Sequence, residues 1–350
     1  MEQFLNRRVE NLLKESIEEK VFTGASCAYK GRGERPEYHC VGTLAETKEM
    51  VTENTLFDLA SCTKIIVTLA FMRLLEEGRI ALSDTVERYL PSWKNCHTGK
   101  ITMFELLTHT SMLPSHLPLY KMSKDKDGAK DIIKHLLPRA SQGVEYSCLG
   151  YIVLGWVLEK VTGMTLDHVI ENYVTKPLGM ENTVYRPLDK KYRNIMPTEH
   201  CNWRKRLLIG EVHDENAFHL GGISGNAGLF SDIIDMCKLA EMMFTGEGAD
   251  GTGFLKKETI AMMTKCYTKG LGENRGLGWR LKNTPDSIAG EYFSDTSFGH
   301  TGYTGTSIWI DKKYDFYAIL LTNRVYYSRD SEDINHVRQV FHNITLLEYL

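Results

Sequence analysis

The chain has 350 residues, with 42 basic and 45 acidic side chains, 42% hydrophobic and 25% charged residues, a balance that suits a globular protein of about two structural units. A formal net charge of −3 offers no basic excess for general nucleic-acid binding. The longest apolar runs, Ile65 to Met72 (interrupted by Thr68) and Tyr151 to Leu158, are about eight residues long, whereas a bilayer-crossing helix needs about twenty, so no membrane span is expected.

In chain order, Phe4, Leu5, Val9, Leu12, Leu13 and Ile17 recur at helical spacing and predict an amphipathic opening helix. Strand-like runs follow near Ala25 to Tyr29 and Glu37 to Val41, with the polar segment Gly31 to Pro36 as the turn between them. After Leu59 the pattern is helical through about Glu77, and Gly78 suits a helix stop. From about 84 to 215 helices and irregular loops are expected, including helices over Leu149 to Val161 and Leu166 to Val174. Ser231 is placed to cap a helix carrying Ile233, Ile234, Cys237, Leu239, Ala240 and Met243. Past Gly276 the pattern turns to strand, with Thr306 to Ile310 and Phe316 to Thr322, before a last helix over Ile334 to Leu350. Strands at both ends with helices between imply one largely antiparallel sheet built from distant parts of the chain. The expected class is α/β of the α+β type, a sheet flanked by helices. Its sheet-bearing part spans 1–82 and 216–350, and 83–215 forms an inserted all-helical domain, with the active site between them.

Eight cysteines, at 27, 40, 62, 96, 148, 201, 237 and 266, are dispersed and form no C-x-x-C pair. Between Met1 and Lys20 charges interrupt every apolar stretch, so a signal peptide is not expected. A cytoplasmic protein with reduced thiols is the resulting expectation.

Ser61-Cys62-Thr63-Lys64 is the first candidate for chemistry. A serine three residues before a lysine at a helix start puts both side chains on one face, one turn apart. A serine hydroxyl is a poor nucleophile until a neighbour takes its proton, which a partly buried lysine or its partner can do. Alone, S-x-x-K occurs often by chance and more commonly marks a helix cap beside a solvated lysine. Tyr146-Ser147-Cys148 and His300-Thr301-Gly302 are likewise weak in isolation.

In this order the three motifs resemble the serine β-lactamase and penicillin-binding-protein superfamily, whose class A members use S-x-x-K, S-D-N and K-T-G. The tyrosine in the second motif is similar to class C β-lactamases, DD-peptidases and related esterases. The likeness runs from about residue 20 to 325. It includes Thr55 to Ala60, Gly78 to Pro91, and Leu106 to Ser111, where Met112 stands in place of a usual glycine. Further on it takes in Tyr151, Gly155, Glu159, Thr162-Gly163, Pro177 to Met180 and the glycine-rich Gly221 to Ser231 with Asp235.

The resemblance implies Ser61 as nucleophile, with Lys64 and Tyr146 beside it, either of which would take the proton. It implies the backbone amides of Ser61 and Tyr303 as the oxyanion hole, and Cys148, His300, Thr301 and Gly302 as substrate contacts, to which Tyr120 is added as an aromatic candidate for the substrate cleft. Cys148 stands where asparagine is usual and His300 where lysine is usual. A thiol is a weak hydrogen-bond partner, and a histidine is mostly neutral at pH 7. Both departures favour ester or amide hydrolysis through an acyl-enzyme over efficient β-lactam turnover. The alternatives are a β-lactamase or DD-carboxypeptidase and, in a different class, a ligand sensor acylated once. The expected partner is a small ester, amide or peptide-like substrate, and the motifs do not speak to oligomeric state.

No cofactor and no metal are expected. His213-Asp214-Glu215, Cys96-His97 and His200-Cys201 lack metal-ligand spacing. Gly270 to Gly276 lacks the phosphate-binding glycine pattern because Arg275 interrupts it. Tyr120, Trp279 and Phe298 suit either a cleft lining or, more commonly for large aromatics, the core. His109 reads as a structural group in a buried turn.

Overall fold

A computed structural model describes residues 2–31, 33–139, 143–190, 192–284 and 287–350. Arg32 of the expected turn and the side chains of Phe4 and Leu5 lie outside the described residues. The first strands are β1 (Gly24–Lys30), β2 (Glu37–Gly42) and β3 (Phe57–Asp58). The middle contributes β4 (Val184–Tyr185), β5 (His200–Cys201), β6 (Arg206–Leu207) and β7 (Leu229–Ser231). The last are β8 (Arg280–Leu281), β9 (Phe298–Thr301), β10 (Ser307–Asp311) and β11 (Phe316–Thr322).

The main sheet runs β2-β1-β11-β10-β9-β8, antiparallel at every step. Its centre joins the two ends of the chain, with Ala25 opposite Thr322 and Lys30 opposite Tyr317. Alternation along β11 explains why both faces need cover. Ala318 and Leu320 pack with Val9, Leu13, Phe341 and Leu346 from helices Glu2–Glu18 and Asp333–Leu347. Tyr317, Ile319 and Leu321 point the other way, into a larger core shared with helix Ile233–Thr245. A strand buried on both faces therefore reads as an unbroken apolar run rather than an alternating one.

The larger core continues into helices Thr63–Glu76 and Cys148–Thr162, and every side chain from Thr63 to Met72 is buried. Among the described residues no single helix is long and apolar enough to cross a membrane.

Three expectations change. The stretch 83–215 is not purely helical: β4 pairs with β7 beside β3, and β5 with β6 forms a hairpin. Strands of two residues are too short to show a period. Ser231 does not cap the helix from Ile233; it is still in β7, and its hydroxyl pairs with Thr183 Oγ1 at 2.7 Å. Asp232, in extended backbone, takes the cap and accepts from Asp235 N at 2.8 Å. Finally, the helix expected over 166–174 is α only through Ile170 and then widens to a π turn at Glu171–Thr175, just ahead of Pro177.

Candidate active site

Chain geometry delivers Ser61 to the surface of a cavity. The carboxylate of Asp58, at the end of β3, is buried and accepts from Ala60 N at 2.8 Å and His213 N at 2.6 Å. Burial raises its pKa, and the two amides oppose that rise. Ala60 is held at φ +45°, a left-handed conformation costing about 1–3 kcal/mol away from glycine. Ser61 then lies in the short 3₁₀ turn Ala60–Cys62 that leads into helix Thr63–Glu76. Its hydroxyl does not cap that helix; it accepts from Lys64 Nζ at 3.0 Å.

Lys64 is fully buried, and its ammonium also donates to Asn226 O at 2.9 Å and Cys148 Sγ at 3.6 Å. The three N–H donors of a lysine are thereby all committed. Burial works against the charge, but Cys148 and then Tyr146, as they ionise, outweigh it and hold Lys64 above its ordinary pKa. Burial pushes the Tyr146 phenol and the Cys148 thiol up further than Lys64 pulls them down. The resting site is an ammonium beside a neutral phenol and a neutral thiol.

Tyr146 is placed by His109. Thr102 and Glu105 form a reciprocal capping box on helix Met103–Thr108. His109 ends that helix at φ +58°. Its Nδ1 accepts from Ser147 N at 3.0 Å and its carbonyl from Glu145 N at 2.9 Å, gripping the tyrosine from both sides. Ser147 then caps helix Cys148–Thr162 through Gly150 N at 3.2 Å. Four groups stand around the Tyr146 ring: Lys64 Nζ at 4.9 Å, the Arg275 guanidinium at 5.0 Å, and the rings of His109 and His300 at 4.5 and 6.0 Å.

The edge of β9 closes the site. His300 is buried, and its Nδ1 donates to Thr301 O at 2.8 Å. A carbonyl only accepts, so in the neutral ring Nε2 presents a lone pair. Burial, then Arg275 and Lys64, hold the His300 pKa well below its ordinary value, and burial with Arg275 does the same to His109. A Cβ on Gly302 would come within 2.1 Å of Thr306 Oγ1 and 2.5 Å of Leu59 O, so only glycine lets this strand end meet the Ser61 turn. Thr304 Oγ1 donates to Asp58 O at 2.7 Å and Thr306 Oγ1 to Leu59 O at 3.0 Å, pinning the two together. Neither the Ser61 nor the Tyr303 amide has an acceptor among the described residues.

Ser61, Tyr146, His300, Thr301, Gly302 and Tyr303 line one cavity of about 640 Å³. Cys148 touches the site through Lys64. Tyr120 is elsewhere: it packs on Trp203 at 4.7 Å and is not among the cavity's lining residues. Trp279 and Phe298 are core, edge to face at 5.0 Å. His213 faces Glu199 Oε2 at 3.1 Å, and Arg329 grips the same carboxylate through Nε at 2.7 Å and Nη2 at 2.5 Å. Arg329 and His213 overcome burial and hold that acid well below the usual range. Among the described residues no three His, Cys, Asp or Glu side chains converge as metal ligands.

Two site residues escaped the sequence reading. Asp58 lies in the family-like stretch Thr55 to Ala60, three residues before Ser61, and carries no catalytic signature of its own in sequence. Arg275 was met only as an interruption of glycines, yet it is buried and lines the cavity.

A family model described as Beta-lactamase matches residues 9–341. A Salmonella typhi protein whose name provisionally assigns it D-alanyl-D-alanine carboxypeptidase activity is 33% identical over 315 residues, 81% of this chain and 72% of its own. EstCE1, titled a hydrolase with promiscuous acyltransferase activity, superposes with a TM-score of 0.79 at 23% identity, covering 97% of this chain and 99% of its own. A class C beta lactamase from Rhodobacter sphaeroides does so with a TM-score of 0.77 at 21% identity, again covering 97% and 99%. These two show the shared fold. With nearly the whole chain matched, the protein belongs to the beta-lactamase family, and it is a hydrolase of that family.

Proposed function

We propose that the protein hydrolyses an ester or amide through an acyl-enzyme on Ser61. The observation that carries this reading is the 3.0 Å contact from Lys64 Nζ to Ser61 Oγ beside the Tyr146 ring. Ser61 Oγ attacks the carbonyl carbon as its proton passes to the Lys64–Tyr146 pair in the form that has already given up one proton to solvent. The carbonyl oxygen becomes an oxyanion held by the amides of Ser61 and Tyr303, each worth about 10²–10³-fold in rate. The pair returns the proton to the leaving group, and water then repeats the sequence on the acyl-serine. The site lies where the first and last parts of the chain (1–82 and 216–350) meet the inserted part (83–215), since Ser61 comes from one and Tyr146 from the other. Eight unbridged thiols favour a reducing setting such as the cytoplasm.

The similar proteins include one provisionally named a carboxypeptidase and a hydrolase with promiscuous acyltransferase activity, so the acyl group has to be found by assay. A p-nitrophenyl ester, a D-alanyl amide and a chromogenic cephalosporin are each offered to the protein and to Ser61→Ala. Ser61-dependent turnover of the ester or amide is expected to exceed that of the cephalosporin. Dominant cephalosporin hydrolysis would make it a β-lactamase instead. Labelling by a penicillin probe without turnover of any substrate would make it a sensor.

A further inference from the structure

Tyr303 lines the cavity, and the peptide that supplies its amide rests on a buried cation. Arg338, on helix Asp333–Leu347, is only 4% exposed. Its Nη2 donates to Gly302 O at 2.7 Å and Thr306 O at 2.8 Å, and its Nη1 to Asn335 Oδ1 at 3.1 Å. Gly302 O also accepts from Gly305 N at 3.1 Å, so both of its lone pairs are engaged. Arg324 secures the next peptide, donating from Nε to Tyr303 O at 2.7 Å.

No acid balances Arg338. Asp330, Glu332 and Asp333 are exposed, and among the described residues none of them forms an ion pair with it. Burial pulls its pKa down to about 10, with Cys62 opposing the fall and Arg324 adding to it, which leaves a cation at neutral pH. A buried guanidinium without a counter-ion is costly to stability. Both N–H groups of Nη2 are spent on the turn between β9 and β10 rather than left for a ligand.

We infer that Arg338 is a positioning residue of the oxyanion hole: by binding Gly302 O it fixes the 302–303 peptide and strengthens Tyr303 N–H as a donor to the developing oxyanion. The two groups belong to one trans peptide unit, with C=O and N–H directed oppositely. A cation on the oxygen therefore stands behind the N–H and draws electron density from it. The benefit grows with negative charge on the substrate oxygen, so it is felt in the transition state more than in the bound substrate. The same Nη2 holds Thr306, whose Oγ1 donates to Leu59 O at 3.0 Å beside the Ser61 turn. One guanidinium thus references the segments that carry both amides.

This inference rests on the Ser61 hydrolase reading, and its test separates the two. Sulfur is a poor hydrogen-bond acceptor, so p-nitrophenyl acetate and p-nitrophenyl thionoacetate report how strongly the hole favours an oxyanion. The native protein should prefer the oxygen ester in kcat/KM. Arg338→Gln, folded by circular dichroism, should lower kcat/KM on the oxygen ester by about 10- to 100-fold and shrink the oxygen-to-sulfur ratio by a similar factor. Arg338→Lys, which keeps a cation at shorter reach, should recover part of both. An unchanged ratio in Arg338→Gln would assign Arg338 to stability alone, since general damage slows both esters alike. Turnover that survives Ser61→Ala would instead remove the hydrolase reading and the oxyanion role with it.

Magnetic resonance reads the polarised peptide without turnover. Glycine precedes tyrosine only at Gly150-Tyr151 and Gly302-Tyr303, so carbonyl-¹³C glycine with ¹⁵N tyrosine isolates these two peptides. The signal of the Gly302-Tyr303 peptide should move in Arg338→Gln, and less in Arg338→Lys, while that of Gly150-Tyr151 stays as the internal reference. A Gly302-Tyr303 signal that stays put overturns the assignment, and Arg338→Lys alone decides it where Arg338→Gln fails to fold.

Discussion

The two sides of the cavity are built on opposite principles. On the Ser61 side the polar groups are paired: Lys64 spends its donors on Ser61, Asn226 and Cys148, Asp58 accepts two amides, and Thr304 and Thr306 tie down the turn. On the facing side, Tyr146 Oη, His109 Nε2, His300 Nε2 and Arg275 Nη1 are all buried without hydrogen-bond partners among the described residues. The paired side fixes where the nucleophile stands before substrate arrives. The unpaired side stores unmet hydrogen-bonding capacity that a ligand or ordered water can satisfy. Pre-organisation and recognition are thus assigned to different elements, the first to the β3–helix junction and the β9–β10 turn, the second to the segments around His109 and Tyr146, the approach to β8 and the end of β9.

Substitutions on the paired side should cost turnover, and the largest loss is expected for Lys64→Met, which removes the proton relay. A fall in kcat on the order of 10⁴ is expected, read with a p-nitrophenyl ester; a loss below tenfold would show that the buried ammonium is a structural pin. Tyr146→Phe, on the unpaired side, should lower kcat by about 10²–10⁴ with the fold intact by circular dichroism. Both pKa values are raised, so the pair holds its protons at neutral pH and the form lacking one is scarce. The native kcat/KM should therefore climb between pH 7 and 9, by close to tenfold per unit. A profile flat across that range would contradict the resting state assigned here.

Acid should expose the unpaired side. His109 and His300 have folded pKa values below the unfolded one of about 6.5. Below that pH the unfolded chain binds more protons, so their contribution is full above about pH 6.5 and is lost on acidification. Each should cost about 1 kcal/mol by about pH 5.5, and His300→Gln should remove its share from a denaturant series at the two pH values. No change in that difference would mean His300 is not held neutral. The smallest effect concerns Met112, at φ +56° in the stretch that leads from His109. Met112→Gly should raise stability by about 0.5–1 kcal/mol by relieving this backbone, visible as a small rise in Tm. A drop would mean that its side-chain contacts outweigh the strain.

What sequence could reveal follows the same division. Ser61, Lys64, Tyr146 and His300 were legible because each sits at the end of a regular element, in an order that the family resemblance recognises. The main strands were legible because Phe316–Thr322 and Glu37–Gly42 are long enough to show a pattern. Strands β4 and β8, with two residues each, were not. Nor was Arg275, whose neighbours are glycines and whose relation to Tyr146 exists only after the segment folds across the cavity. Tyr120 failed for the complementary reason: an aromatic at a plausible place found an aromatic partner in Trp203. The helix cap shifted by one residue because Ser231 and Asp232 are equally good caps in sequence, and pairing with Phe57 in the sheet and a hydroxyl bond to Thr183 claimed the serine first.

One buried carboxylate has a reach beyond its own hydrogen bonds. Asp58 holds the Ala60 amide with one oxygen and the His213 amide with the other. His213 in turn lies against the Tyr303 ring at 5.6 Å and faces Glu199, the acid that anchors Arg329 at the cavity rim. The rim and the turn bearing the nucleophile are consequently geared to one another. A substitution around 199–215 that never meets a substrate is therefore expected to change the angle at which Ser61 is presented, and so to alter the rate before it alters what binds.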